Sequence, residues 1–240
     1  MSSTLDAMSR WSVADAPSLS GRTALVTGAT SGLGLETARA LASRGARVLV
    51  AGRDPGRTAA AVTKAAAAAS DGGSAEPLAL DLASLASVRA AADEAASRTE
   101  RLDLLVNNAG VMAPPLGRTD DGFETQFGTN HLGHFALTAW LMPLLLASAS
   151  PRVVTVSSTA HRMGSIDLDD LHYERRSYSA WPAYGASKLA NLLFTTELAR
   201  RAADTGTSLV AAAAHPGFAA TNLQYAGPWW AQNPVGRTVT

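Results

Sequence analysis

Tyr184 and Lys188 are the residues of this sequence whose types and spacing point most directly to chemistry. Side chains four residues apart on a helix lie on the same face, so we expect the phenol and the ammonium to be neighbours. Groups of both kinds can transfer or orient a proton. Lysine is scarce in the chain, with Lys64 and Lys188 against eighteen arginines, so a chance pairing of this kind is rare.

A second candidate is the stretch Thr27–Gly34, Thr-Gly-Ala-Thr-Ser-Gly-Leu-Gly, which follows a short apolar run. Glycines at this point allow either a tight turn or the close approach of a phosphate to bare backbone. The spacing Gly-x-x-x-Gly-x-Gly differs from the Gly-x-Gly-x-x-Gly of the usual dinucleotide fingerprint. We expect a helix to begin near Leu33 and to direct free N–H groups at the anion. The predicted nucleotide contacts in this turn are Gly28, Ser31, Gly32, Leu33 and Gly34.

The residues after the second predicted strand bear on the choice of nucleotide. A carboxylate at this place would accept the ribose 2′-hydroxyl of NAD. Here Gly52 fills the place and Arg53 follows it. A guanidinium suits a 2′-phosphate, so we predict NADP(H) in preference to NAD(H). A solvated surface arginine is the alternative, and Arg57 is a second candidate for the same phosphate.

Polar residues also follow the third and fourth predicted strands. Asp81, followed by Leu82, could accept a hydrogen bond from an adenine amino group or cap the next helix. The run Asn107-Asn108-Ala109-Gly110 either forms a plain turn or ties neighbouring strand ends together and leaves room for a ribose. We predict nucleotide contacts at Asp81, Leu82, Asn108 and Gly110.

The last two predicted strands are followed by further candidates. Ser157 and Ser158 come after the fifth strand, and because a strand alternates faces, only one of them is expected to face the site. A long irregular segment follows them and reaches about Trp181, a length typical of functional lids. Pro216, Gly217 and Thr221 follow the sixth strand, where a simple turn is the alternative.

Strand-like and helix-like patterns alternate along the chain and supply the elements that must position these residues. The predicted strands are Thr23–Val26, Arg47–Ala51, Ala75–Leu80, Leu102–Val106, Val153–Val156 and Ser208–Ala214. The predicted helices are Leu33–Arg44, Pro55–Ala69, Leu85–Arg98, a largely helical Gly122–Leu146, and Ala183–Ala203. This order predicts an α/β fold with a doubly wound, Rossmann-like parallel sheet, whose ligands lie beyond the carboxyl ends of the strands. We divide the chain into an N-terminal tail, residues 1–20, and one dinucleotide-binding catalytic domain, residues 21–240.

Composition narrows the classes of function. The 240-residue chain has a formal net charge of zero, which gives no long-range attraction to nucleic acid or acidic membranes. It has no cysteine, no apolar run of the ~18 residues that a bilayer requires, and no signal-peptide pattern, so we expect a cytoplasmic protein without a membrane anchor. His131 and His134 could begin a metal site, but no adjoining motif completes it and we predict no metal.

As a set, these motifs resemble the short-chain dehydrogenase/reductase family in its single-domain form. Thr27–Gly34 matches the family's glycine turn, and Asn107–Gly110 matches its Asn-Asn-Ala-Gly motif. The catalytic tetrad of the family is matched by Asn130, Ser158, Tyr184 and Lys188. Its nicotinamide-side segment is matched by Pro216-Gly217 with Thr221. Three segments have sequences that look most like those of the retinol dehydrogenase and protochlorophyllide reductase-like branch: Thr129–Phe135, Arg152–Ser158 and Tyr184–Phe194. The resemblance covers about residues 21–225.

The resemblance implies a mechanism. Tyr184 would be the general acid in carbonyl reduction and the base in alcohol oxidation, with the charge of Lys188 lowering the pKa of the phenol from its usual value near ~10. Lys188 would also bind the nicotinamide ribose. Ser158, favoured over Ser157, would hold the substrate oxygen, and Asn130 would bend its helix and hold a water. The implied substrate is a small apolar alcohol or carbonyl compound.

The end of the sequence raises an alternative. The family usually continues beyond the Pro-Gly segment into a lobe that covers the substrate, a further helix and a seventh strand, whereas this sequence ends at Thr240. We therefore expect the C-terminal lobe to be missing and the sheet edge after strand six to be bare. A cofactor-binding sensor or partner protein with weak or no turnover is the second hypothesis. A homo-oligomer, formed through the helices that hold Asn130 and Tyr184, is a further expectation from the resemblance.

Overall fold

A computed structural model describes residues 11–217, and within this range six parallel strands form a central sheet. The strands are β1 Thr23–Thr27, β2 Arg47–Gly52, β3 Ser74–Ala79, β4 Leu104–Asn107, β5 Arg152–Val156 and β6 Val210–Ala214. Their order in the sheet is β3-β2-β1-β4-β5-β6. The order reverses between β1 and β4, and this arrangement confirms the predicted doubly wound sheet. A crevice for a ligand is expected where neighbouring connections leave in opposite directions, at the carboxyl ends of β1 and β4.

The described part of the chain also contains six α-helices. They are α1 Gly32–Ser43, α2 Pro55–Ala66, α3 Leu85–Arg98, α4 Thr125–Phe127, α5 Gly133–Leu146 and α6 Ala180–Asp204. Alternate residues of the strands face opposite sides, and each side has its own apolar core. Ala24, Val26, Val48 and Val50 pack with α1 and α2, whereas Leu25, Leu49, Leu105 and Val153 pack with α3 and α5. A sheet covered on both faces explains why its strands read as continuous apolar runs.

The alanine-rich segment after β2 forms α2, as predicted, but it ends at Ala66 and not at Ala69. Asp54 begins this helix, because its carboxylate accepts the Arg57 N–H at 2.7 Å and Pro55 occupies the first turn. The small buried residues Ala61 and Ala65 allow the helix to approach the sheet closely.

The region predicted as largely helical, Gly122–Leu146, is interrupted. The short α4 is followed by a π-helical segment, Gly128–Leu132, before α5 begins. Glu124 caps α4 with its carboxylate, which accepts the backbone N–H groups of Gln126 and Phe127 at 2.9 and 2.7 Å. A π segment widens one helical turn and is often found at functional sites, and Asn130 lies at its centre.

Several boundaries differ from those predicted by one to three residues. β4 begins at Leu104 and β6 at Val210, two residues later than predicted, while α6 begins three residues earlier, at Ala180. The segment predicted as a loose tail contains a 3₁₀ turn at Val13–Asp15. Its end is attached to the domain, because the Leu19 N–H donates to the Arg44 carbonyl at 2.6 Å.

Candidate functional site

The glycine turn lies between β1 and α1, at the reversal of strand order. Gly28 and Gly32 have φ of 63° and 54°, a backbone region that favours glycine. A Cβ built on Gly34 would lie 2.4 Å from the Gly28 carbonyl oxygen, so a side chain there would disrupt the turn. Ser31 precedes α1 but makes no side-chain hydrogen bond to the helix, which leaves the first N–H groups of the helix to a ligand. The turn therefore fits a dinucleotide pyrophosphate, and Leu33, 37% exposed, lies in its first helical turn.

Asn108 joins the ends of β1 and β4. Its side-chain amide donates to the Thr27 carbonyl at 2.8 Å, and its backbone N–H donates to the Thr27 hydroxyl at 2.9 Å. The Ala109 N–H reaches the same hydroxyl at 3.0 Å. The Asn-Asn-Ala-Gly run is therefore not a plain turn, because it closes the gap between the two central strands.

The Thr27 hydroxyl also contacts His134, a buried residue of α5. His134 Nδ1 lies 2.9 Å from the Asn130 carbonyl oxygen, and because a carbonyl can only accept, Nδ1 carries the proton. Nε2 is then an acceptor, and the Thr27 hydroxyl donates to it at 2.8 Å. Burial lowers the pKa of His134 to about 3, so the ring is neutral and its tautomer is fixed. A hydrogen-bonded chain thus runs from the glycine turn to the π segment.

Asn130 is fully buried and links the loop after β4 to α6. Its Oδ1 accepts the Val111 N–H at 2.8 Å, and its Nδ2 donates to the Val111 carbonyl and to the Ser187 hydroxyl, both at 3.0 Å. A Cβ built on Gly110 would lie 3.0 Å from Asn130 Oδ1 and 3.6 Å from Lys188 Nζ. Gly110 therefore lies directly beside two of the predicted catalytic side chains.

Lys188 lies on α6 with 3% of its surface exposed. Its Nζ donates to the Val156 carbonyl at the end of β5, at 3.0 Å. Burial lowers the pKa of this amine to about 8, because the charged form loses its hydration. Lys188 can therefore gain and lose a proton close to neutral pH.

Tyr184 lies one turn before Lys188 and is 5% exposed. Lys188 Nζ is 5.6 Å from the centre of its ring, so the helix brings the pair together as its spacing predicts. Burial raises the pKa of the phenol, and a hydrogen bond with Ser158 opposes this in part. The expectation that Lys188 lowers the phenol pKa is wrong for the chain by itself, because the ammonium donates to a backbone carbonyl and burial also disfavours its charge.

The two serines after β5 have different surroundings. Ser157 is buried, and its hydroxyl donates to the Lys188 carbonyl at 2.9 Å. Ser158 is half-buried, hydrogen-bonds Tyr184, and accepts the Ala160 N–H at 3.2 Å. Only Ser158 thus contacts the phenol, while Ser157 joins the strand to the helix.

The nucleotide candidates after β2 and β3 lie at the neighbouring strand ends. Arg53 is exposed, and within residues 11–217 its side chain has no hydrogen bond or ion pair. A Cβ on Gly52 would meet side-chain atoms of Thr30 and Thr58, each at 2.6 Å. Asp81 accepts the Ala83 N–H at 2.9 Å. It does not cap α3, because the N-cap residue of that helix is Ser84.

Leu82 packs on the start of α5, where a Cβ on Gly133 would lie 2.5 Å from the Leu82 carbonyl oxygen. Among the last predicted contacts, Pro216 and Gly217 are exposed, and Gly217 has a φ of 68°. Thr221 lies outside the described residues, as does the C-terminal region on which the missing-lobe expectation depends.

Aromatic and imidazole side chains surround the site. The ring of Trp181 meets that of Tyr184 edge to face, with centroids 6.1 Å apart, and Trp181 is 38% exposed. His161 Nδ1 donates to the Ser158 carbonyl at 2.7 Å. His131 contacts Asn191 at 3.2 Å, so both histidines considered for a metal have hydrogen-bond partners within the fold. Over the described range, no three His, Asp or Glu side chains form a group suited to a metal ion.

The sequence analysis predicted no hydrogen-bonding role in this site for four residues: Thr27, Gln126, His134 and Ser187. All four are almost fully buried polar residues whose side chains bind backbone or side-chain atoms of the predicted tetrad or of the loop after β4. The one signal available was position, since Gln126 and His134 lie four residues on either side of Asn130.

No helix described between residues 11 and 217 is both long and apolar enough to traverse a bilayer.

The family model described as "short chain dehydrogenase" matches residues 22–228. Retinol dehydrogenase 14 of Mus musculus is 48% identical over 212 residues, covering 85% of this chain and 63% of that protein. Polyprenol dehydrogenase of the same species is 46% identical over 219 residues, covering 89% and 64%. The chain thus spans somewhat less than two thirds of the length of these relatives.

Two solved structures extend the comparison. An uncharacterised protein from Mycobacterium paratuberculosis is 52% identical with a TM-score of 0.79, over 90% of this chain and 75% of the other. The RhlG/NADP active-site complex of Pseudomonas aeruginosa is 30% identical with a TM-score of 0.71, over 91% and 79%.

Proposed function

Because this chain belongs to the short-chain dehydrogenase family, we propose that it is an NADP(H)-dependent oxidoreductase that interconverts an alcohol and a carbonyl compound. One observation supports this most: Asn130 and Lys188 both lie beside Gly110, and Tyr184, which interacts with Ser158, lies beside Lys188. Their roles below are part of the proposal.

In the reducing direction, a carbonyl carbon gains a hydride and its oxygen gains a proton. A bound nicotinamide supplies the hydride. Tyr184 donates the proton to the oxygen, and Ser158, which already hydrogen-bonds the phenol, donates to the same oxygen as negative charge develops on it. Tyr184 and Ser158 therefore act on one atom of the substrate.

Lys188 then supports the return of a proton to Tyr184. Its pKa of about 8 lies near neutrality, so the amine exchanges protons readily. Asn130 holds the loop that contains Val111, and Gly110 of the same loop lies beside the amine. In alcohol oxidation the same groups work in reverse, with the Tyr184 phenolate as the base.

The preference for NADP(H) over NAD(H) rests on Gly52 and Arg53. No carboxylate follows β2 directly, and the exposed guanidinium of Arg53 is available for a 2′-phosphate.

An apolar alcohol or aldehyde is the substrate class we propose. The relatives named above are dehydrogenases of retinol and polyprenol, both apolar alcohols. Met163 and Trp181, 55% and 38% exposed, lie on the segments next to Ser158 and Tyr184 and supply apolar surface there.

We further propose that the protein is cytoplasmic. We also propose that it forms a homo-oligomer through Phe135 of α5 and Leu193 of α6, which are 51% and 55% exposed.

A cofactor-binding protein without turnover is the rival proposal. It is favoured by the raised pKa of Tyr184, because the phenol then stays protonated and little phenolate is present to act as a base. The deciding test is NADPH oxidation with retinal and with small aldehydes, with Tyr184→Phe as the control. Steady turnover by the wild type that Tyr184→Phe abolishes supports the enzyme. Tight NADPH binding without turnover by either protein supports the rival.

A further inference from the structure

We propose that Gln126 is a positioning residue for Tyr184, acting through the backbone of the helix that carries the phenol. The inference rests on the proposed function, in which Tyr184 is the catalytic acid. Gln126 has 0% of its surface exposed, although its amide is strongly polar. Such a side chain is retained in a core only where its hydrogen bonds are made, so its partners indicate its role.

Gln126 connects two segments that are remote in sequence. Its Oε1 accepts the Ala113 N–H, and its Nε2 donates to the Ala180 carbonyl and to the Tyr178 hydroxyl, each at 2.9 Å. Ala180 is the first residue of α6, and in the i to i+4 pattern its carbonyl also accepts the N–H of Tyr184. Gln126 therefore holds the turn of helix from which the phenol projects.

Asn130 makes a matching connection four residues later. Its Nδ2 donates to the Ser187 hydroxyl at 3.0 Å, and that hydroxyl donates to the Tyr184 carbonyl at 2.8 Å. Asn130 also binds Val111, as Gln126 binds Ala113. The side-chain amides of Gln126 and Asn130 thus connect the backbone on either side of Tyr184 to the loop after β4. Gln126 does so through the hydrogen bond of the Tyr184 N–H, and Asn130 through that of the Tyr184 carbonyl.

The conformation of Ala113 supports the view that Gln126 imposes a geometry. Ala113 has a φ of 50°, in the left-handed region that residues with a Cβ adopt at a cost, and it is 6% exposed. The bond from its N–H to Gln126 holds the loop in this conformation. The loop in turn leads back to Gly110, beside Asn130 and Lys188.

The test compares Gln126→Met, which keeps length but removes every hydrogen bond, with Ser148→Ala. Ser148 is 5% exposed, and its hydroxyl donates to Asp103 at 2.7 Å, at the opposite end of the sheet. We expect Gln126→Met to lower kcat by roughly ten-fold or more while the NADPH Kd stays within about two-fold. We also expect faster amide hydrogen exchange in residues 180–188. Ser148→Ala should lower Tm and change neither kcat nor that exchange.

A second variant separates positioning from stability. Adding Ala113→Gly to Gln126→Met relieves the left-handed conformation and should raise Tm by a few degrees, about 2–4 °C, without restoring kcat. Recovery of kcat together with Tm would overturn the inference, as would unchanged exchange in residues 180–188 of Gln126→Met. If the wild type itself shows no turnover, the proposed function fails, and the exchange measurement still decides whether Gln126 fixes the helix.

Discussion

Lys188 Nζ lies 5.6 Å from the centre of the Tyr184 ring, while its hydrogen bond goes to the Val156 carbonyl at 3.0 Å. The two side chains are neighbours, yet each is disfavoured in its charged form by burial, with the pKa of the phenol raised and that of the amine lowered to about 8. The spacing of the pair accounts for their proximity. Their protonation is set by the desolvated surroundings.

Replacing Lys188 should therefore make the protein more stable and less active. In unfolded chains this amine titrates near 10.5, against about 8 when folded, so burying the charged form opposes folding at neutral pH. We expect Lys188→Met to raise the free energy of unfolding in urea by about 3 kcal/mol at neutral pH and to abolish turnover. The unfolded wild type binds the extra proton between these two pKa values, so wild-type stability should rise, and the advantage of the variant shrink, as the pH goes from 8 to 10.5.

Lys64→Met is the control, since Lys64 is the other lysine and is exposed. It should leave both stability and its pH dependence unchanged. A Lys188→Met protein no more stable than the wild type at neutral pH would contradict the assignment of a buried, partly desolvated amine.

His134 should make the fold sensitive to acid. Its pKa is about 3 when folded and 6.5 ordinarily, so the unfolded state takes up a proton first and stability falls as the pH drops from 6.5 towards 3. His134→Asn can keep the donor to the Asn130 carbonyl but loses the titrating ring. We expect it to be less stable at neutral pH, yet to lose about 2 kcal/mol less than the wild type on acidification to about pH 5.

Urea unfolding at the two pH values measures this difference. His215→Asn provides the comparison, because His215 is exposed. If His134→Asn lost as much unfolding free energy on acidification as the wild type, a group other than His134 would be responsible for the acid sensitivity.

Arg53→Asp should reverse the choice of nucleotide. A carboxylate in place of the guanidinium repels a 2′-phosphate and can accept a 2′-hydroxyl. We expect the NADPH Kd to rise by roughly ten- to a hundred-fold and the NADH Kd to fall or stay the same, as measured by fluorescence titration. Arg152→Asp, at the start of β5 and thus at the far end of the sheet, should bind both nucleotides like the wild type. If the preference for NADPH survives in Arg53→Asp and is lost in Arg57→Asp, the phosphate contact belongs to Arg57.

Ser158→Ala and Ser157→Ala should separate catalysis from stability. Ser158 hydrogen-bonds the phenol, so its loss should cut kcat by roughly a hundred-fold or more. The Ser157 hydroxyl binds the Lys188 carbonyl, and its loss should cost about 1 kcal/mol of unfolding free energy with kcat close to wild type. Steady-state kinetics and urea unfolding on both variants measure this, and the opposite assignment would stand if Ser157→Ala were the inactive one.

Much of the fold could be predicted because its signals are local. The helix Leu85–Arg98 was predicted to the residue, since its apolar pattern is bounded by Ser84 and Thr99. The residues around Asn130 read as an ordinary helical pattern, so the π segment was not predicted from the pattern, and only the resemblance implied a bend of the helix at Asn130.

The site was predictable where helix spacing alone decides a contact, as for the proximity of Tyr184 and Lys188, whose roles stay predictions. It was not predictable where a role depends on a partner distant in sequence. Gln126 acts through Ala113 and Ala180, and His134 through Thr27, contacts that exist only once the sheet is assembled. The sign of the Tyr184 pKa shift was missed for the same reason, because it follows from burial and not from spacing.

The hydrogen-bonded chain from Thr27 through His134 to Asn130 restricts how related enzymes can be recombined. A hybrid that takes β1 and its turn from one parent and the π segment with α5 from another would keep this chain only if the first parent supplies the threonine and the second supplies the histidine. With a mismatched pair, a donor or an acceptor would remain buried without a partner next to the glycine turn. Crossover points outside residues 27–134 preserve the connection. Exchange of α2 alone also preserves it, because α2 contains none of the three residues.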